Sequence, residues 1–356
     1  MPLKVHLGRA SFEARKGSHL RMTGLVIVTQ DQYRASPEDS LIARYFKPLA
    51  TDPGAFGLVD DAAVLSSAGD DIVITTDAIV EGVHYLASDP PDTIARKALR
   101  VNLSDLAAKG ATPAGFVLTL ALRAKEDSWL RPFADALGED AKSFGCPLLG
   151  GDTVSTPGPQ MISITAFGRV PKGRMVGRTG ARPGDRILVT GTIGDAALGL
   201  DLLTGGAGVL TVDQVARDHL INRYRVPLPR NALAGTVLAH ASAAMDVSDG
   251  LAGDLAKLCA ASGVSALVEA HRVPLSPPAA AAVSAVGFEK LVSGGDDYEI
   301  LCAVPQSRCA DFTREADLAG VPVTAIGTII AVQQIPRWTD AEGRDVTLHR
   351  LSYSHF

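Results

Sequence analysis

KALRVNLSDLAAKGATP, residues 97–113, sets an acidic side chain inside an otherwise apolar helical pattern. Asp92 offers a cap upstream, Gly110 a stop and Pro113 a barrier just beyond, so the spacing predicts a helix over 92–109. Ile94, Ala98, Val101, Asp105 and Ala108 fall on one stripe, which puts the Asp105 carboxylate in line with apolar neighbours. The association recurs at the ends of apolar runs: Asp60 and Asp61 in VDDAAVL, Asp77 in TTDAIVEG, Asp152 in GGDT, Asp246 and Asp249 in DVSDGL. A buried carboxylate needs strong compensation, and hard divalent cations with bound phosphates are the usual form of it. The pattern predicts a site for several magnesium ions and phosphates.

Outward from that helix the chain alternates. A helix is expected after Ser36 and Pro37, then strands at 58–65 and 71–77, where Ile72, Ile74 and Thr76 alternate with Val73, Thr75 and Asp77. Strands at 116–122 and 161–170 follow, separated by a helix near 131–144 and a turn-rich GGDTVSTPGP. The Gly-, Pro- and Arg-rich run 171–185 reads as a linker or binding loop. Beyond it come strands at 186–190, 243–247, 264–269, 299–304 and 321–329. Helices are expected after Gly194, over 250–261 and in the Ala-rich 277–286. The expected organisation is an extension over 1–35, aperiodic and disordered, a first α/β domain over 36–172 and a second over 173–356.

At 356 residues and 46% hydrophobic, the chain is long enough for two cores. A net charge of −5 argues against a general nucleic-acid surface, and no apolar run approaches the ~20 residues that span a bilayer. Four cysteines without CxxC spacing indicate neither zinc nor a disulfide framework, which suits a cytoplasmic protein. A P-loop and the HRD and DFG kinase signatures are absent, so nucleotide chemistry would need another fold. VTGTIGDAALG has the wrong glycine spacing for a dinucleotide fingerprint.

GGDT places glycines where backbone can approach phosphate and then presents Asp152 to a cation. SDG at 248–250 puts Ser248 and Asp249 at a helix start, where free N–H groups can hold an anion. Asp254 reads as a solvated helix residue. An acidic turn residue alone is more often a cap than a ligand; the repetition along one chain favours a functional role.

Taken in order, VDDAAVL, TTDAIVEGVH, KALRVNLSDLAAKGATP, GGDTVS, RTGARPGDRILVTGTIGDAALGL, MDVSDGLAGDL and SGGDDYEIL resemble the motifs of the thiamine-monophosphate kinase family. The likeness runs from about residue 37 to the C-terminus. SDG or GGDT alone would also fit relatives such as aminoimidazole ribonucleotide synthetase and selenophosphate synthetase. The resemblance implies a two-domain α/β fold whose N-terminal domain pairs across a homodimer into a β-barrel. It also implies ATP-dependent phosphorylation of thiamine monophosphate to thiamine diphosphate with several Mg2+ ions. By motif position, Asp61, Thr75, Thr76, Asp77, Asp105, Asp152, Asp246 and Asp249 would bind magnesium. Gly151, Arg178 and Ser248 would contact ATP, with Asp152 beside them. His84, Asp296 and a C-terminal aromatic, Tyr353, would meet the substrate. The family commonly has Gly where Val59 stands and Glu where Asp296 stands. Another ATP-using enzyme of the same superfamily, or a nucleotide- and metal-binding module without turnover, remain the alternative readings.

Overall fold

The computed structural model describes residues 41–53, 55, 67, 69–206, 212–332 and 334–352. Pro37, the strand expected over 58–65 with Asp60 and Asp61, and Tyr353 lie outside them. The first sheet contains β1 (Asp71–Val80), β2 (Thr112–Leu122), β3 (Leu148–Ser155) and β4 (Met161–Val170), in the order β1-β4-β2-β3. Only β2 and β3 run parallel. Burial alternates residue by residue along β4, so the sheet has one covered face and one outer face. Helices α1 (Pro91–Ala108) and α2 (Asp127–Ser143) cover the inner face, where Leu99, Leu103, Phe133 and Leu137 pack on Phe116, Leu118 and Ile164. Each such leucine contributes roughly 1.5–3 kcal/mol by leaving water.

Two expectations are corrected here. Asp92 does not cap α1: Pro90 holds the N-cap position and Pro91 the first helical position, where a missing N–H costs nothing. GGDT is not a turn but the middle of β3, with Gly151 opposite Leu118. A Cβ on Gly151 would stand 1.8 Å from the Leu118 carbonyl oxygen, so close strand packing by itself demands glycine there.

The second domain is a six-stranded sheet of β5 (Arg186–Thr190), β6 (Ala243–Asp246), β7 (Ser265–Glu269), β8 (Ile300–Val304), β9 (Val323–Ile330) and β10 (Arg337–Thr339). Its order is β10-β7-β9-β5-β8-β6, antiparallel except for β10 against β7. Around it lie α3 (Asp195–Thr204), α4 (Gln214–Arg225), α5 (Ala234–His240), α6 (Leu251–Ser262), α7 (Pro277–Val286), α8 (Phe288–Ser293) and α9 (Cys309–Leu318).

Helix α1 joins the two domains. Twelve of its eighteen residues are buried, more than one covered face requires, because its C-terminal end also enters the second domain. Ala107 and Ala108 pack with Leu233, Val237, Ala244 and Ile300. Arg100 donates to the Pro227 carbonyl at 3.0 Å, and Lys109 to the Ala244 carbonyl at 2.8 Å. Asp105 is thereby carried to the junction.

Candidate active site

On β1 the period of two sends Val73, Thr75, Asp77 and Ile79 toward α1 and Thr76 and Ala78 to the outer face. Thr75 Oγ1 donates to Asp105 Oδ2 at 2.5 Å, fixing that carboxylate from the sheet. Thr76 instead donates to the Ile164 carbonyl and accepts from Thr165. Asp246 ends β6, buried, and Asp249 follows in the turn before α6. Burial pushes the Asp77 carboxyl up to about 6, and the nearby charges of Asp105 and Asp249 add to the effect. Asp246 is raised in the same direction by burial, Asp105, Asp254 and Asp77, against a hydrogen bond from Ser104. Asp77, Asp105, Asp246 and Asp249 therefore form one mutually repelling group.

Lysines partly offset that repulsion. Lys257 lies 2.5 Å from Asp249 and 2.9 Å from Asp254. Lys109 is held down by burial and by Arg178, and Asp246 and Asp105 act on it in the opposite sense.

Asp254 is not solvated: it is completely buried, and its Oδ2 accepts the N–H groups of Ser248 and Asp249, both at 3.0 Å. The expected free N–H pair is thus taken by the protein's own carboxylate, six residues along the chain. Gly250, at φ +115°, makes the sharp turn into α6 that allows it.

A cavity of about 400 Å3 opens at the end of β1. Asp77, Ser248 and Asp249 line one part of it, and His84, Asp296, Tyr298 and Lys290 are among the residues lining the rest. Val80 N–H donates to His84 Nδ1 at 3.1 Å, which orients the ring from its own turn. Asp296 and Tyr298 both have left-handed backbones, φ 71° and 51°, costing of order 1–3 kcal/mol each. The residues between and beyond them point inward and hold that shape. Asp297 accepts the Gly194 N–H with both oxygens, at 2.9 and 3.0 Å. Glu299 accepts from Thr190, Arg223 and Arg230 at 2.5–2.9 Å.

Asp152 lies elsewhere. It pairs with Thr119, in the row that continues through Ser163 to Ala78, so it shares the outer face opposite to Asp77. Three strand spacings separate it from β1, roughly 14 Å. Arg178 is exposed on the linker, close enough to act on Lys109. Sequence reasoning missed Lys97, Lys109 and Lys257 and misread Asp254. Lys97 carried a signal: it stands on the stripe of Val101 and Asp105, where a charge must have partners.

The donor set suits a hard cation. Among the described residues no three His, Cys, Asp or Glu side chains converge as a preformed chelate. Magnesium fits such an arrangement, because it keeps several waters and binds through one or two carboxylates plus substrate phosphates.

Comparison with known proteins identifies the family. Residues 59–170 match the N-terminal domain of AIR synthase related proteins, and residues 182–337 match their C-terminal domain. Fold and matches thus define an AIR synthase-like two-domain α/β protein. The thiamine-monophosphate kinase of Caulobacter vibrioides is 46% identical over 88% of this chain and 89% of its own length. The crystal structure of the thiamine-monophosphate kinase from Stenotrophomonas maltophilia K279a superposes with a TM-score of 0.74 at 34% identity, covering 86% of this chain and 96% of that one. AaThiL complexed with AMPPCP and TMP gives 0.71 at 29% identity, covering 85% and 97%. The chain belongs to the thiamine-monophosphate kinase family.

Proposed function

We infer that this protein transfers the γ-phosphoryl group of ATP to the phosphate of thiamine monophosphate, giving thiamine diphosphate and ADP. The observation that carries the reading is the single cavity that joins two acidic residues of the repelling group, Asp77 and Asp249, to His84 and Asp296. Its volume lies in the range of small-molecule sites. A phosphate monoester with a second pKa of about 6 is already largely ionised at neutral pH. It needs no general base, and this accounts for a site built of carboxylates without a nucleophilic thiol.

Bound magnesium would neutralise charge between the two phosphates and align them for in-line transfer. Asp77, Asp105, Asp246 and Asp249 are the residues that would hold it, with Thr75 fixing Asp105. The family resemblance alone would add Asp61, Thr76 and Asp152 to this set; Thr76 and Asp152 stand on the opposite face of the first sheet from Asp77, apart from those four carboxylates. Ser248, Gly151 and Arg178 are proposed to meet ATP; His84, Asp296 and Tyr353 are proposed to meet thiamine monophosphate. We also infer a homodimer in which the outer face of the first sheet, open among the described residues, pairs with its copy.

A coupled assay for ADP with thiamine monophosphate, and with free thiamine and an aminoimidazole precursor as controls, tests the reading. Turnover should require thiamine monophosphate, ATP and a divalent cation together. Equal turnover with free thiamine would overturn it.

A further inference from the structure

The two residues assigned to substrate lie on different domains, His84 after β1 and Asp296 before β8, and one buried ammonium group touches both. Lys97, on α1, is 2% exposed. Its Nζ donates to Asp296 Oδ2 at 2.9 Å and to the His84 carbonyl at 2.8 Å. It also stands 3.8 Å from the centre of the Tyr224 ring, a cation–π distance. Tyr224 in turn donates its hydroxyl to the same His84 carbonyl at 3.3 Å.

Asp296 cannot hold its place by backbone preference, because its φ of 71° is unfavourable for a non-glycine residue. What fixes it is a bond from its N–H to the Ser248 carbonyl at 2.8 Å, together with the pull of Lys97 on its carboxylate. The cavity is lined by His84 and Asp296 but by neither Lys97 nor Tyr224. Lys97 therefore acts behind the wall.

We propose that Lys97 is a positioning residue for the substrate end of the cavity: anchored on the His84 carbonyl, it acts through Asp296 and so sets the spacing between the two domain walls that grip thiamine monophosphate. This rests on the functional reading above. An ion pair serving stability alone would have no reason to affect one substrate and spare the other.

The experiment is steady-state kinetics on Lys97→Met, Asp296→Asn and the double variant, with both substrates varied. Lys97→Met keeps the aliphatic stem and removes the charge. It should raise the KM for thiamine monophosphate by roughly tenfold, the scale of one charge-assisted contact, with the KM for ATP and kcat within about threefold. Because Lys97 acts through Asp296, the double variant should be no worse than the worse single variant. An unchanged KM for thiamine monophosphate in Lys97→Met, or factors that multiply in the double variant, would overturn the proposal. If Lys97→Met does not fold, the charge-balanced double variant set against Asp296→Asn decides: an equal KM supports Lys97 as positioning residue and a higher one refutes it. Wild-type protein that turns over no thiamine monophosphate sinks the functional reading and this inference together. Turnover with an unmoved KM sinks this inference alone.

Discussion

Asp77 shows what one residue gives up in stability for a charged site. Its folded carboxyl is raised from 3.8 to about 6, so the native state binds that proton more tightly than the unfolded chain does. The linked stability is fully present below the unfolded value and is lost as pH rises through the folded one. Without metal, Asp77→Asn should therefore gain thermal stability over wild type between about pH 4 and 6, with the difference levelling above. Calorimetry in EDTA across that range checks it; a pH-independent difference would refute the repelling group. The same variant should lose roughly 100-fold in turnover, the scale of one preorganised electrostatic contact. Asp152→Asn, exposed and on the other face of the sheet, should move metal-free stability by less than about 0.5 kcal/mol.

Two elements carry the site because each has its polar groups satisfied from within. At the head of α6, Asp254 accepts two backbone N–H groups and pairs with Lys257. Asp254→Ala should cost about 1–3 kcal/mol through the unsatisfied donors it leaves, read as a shift in urea midpoint. A solvated residue would cost almost nothing. The strand-leading loop 294–299 depends on Glu299, wholly buried against Arg223 and Arg230. Glu299→Gln removes the charge that Arg223 and Arg230 share, leaving Arg223 only Asp195 at 3.8 Å, and the expected loss is about 3–5 kcal/mol. Asp297 and Glu299 alternate with Asp296 and Tyr298, so inward anchors hold outward strain.

At the scale of the molecule, α1 binds two cores into one unit, and among the described residues the far face of the first sheet is uncovered. Ile74 is 63% exposed and Val154 45%, and Thr76, Ala78 and Thr119 share that face. Such a sheet face suits a second copy better than water. Ile74→Lys should shift the species seen by light scattering from dimer toward monomer; wild-type protein that is already monomeric would refute the pairing. Among the described residues no helix is long and apolar enough to cross a membrane.

Much of this was legible in the chain itself. Apolar patterning located α1, β1, β4 and β5, and alanine-rich composition located α7, since local propensity and burial act along the chain there. The recurrence of Asp beside Gly, Ser and Thr marked Asp77, Asp105, Asp246 and Asp249, because a carboxylate in an apolar run has to be compensated by something. Tertiary structure alone decided the rest. Register placed Asp152 on the opposite face from Asp77, since a strand's face depends on its partner and not on its sequence. Burial turned Asp254 from a surface residue into the anchor of the SDG turn. Contact across domains made Lys97 the partner of Asp296, 199 residues away. No local pattern encodes that pair, because its energy exists only once both cores have closed around α1.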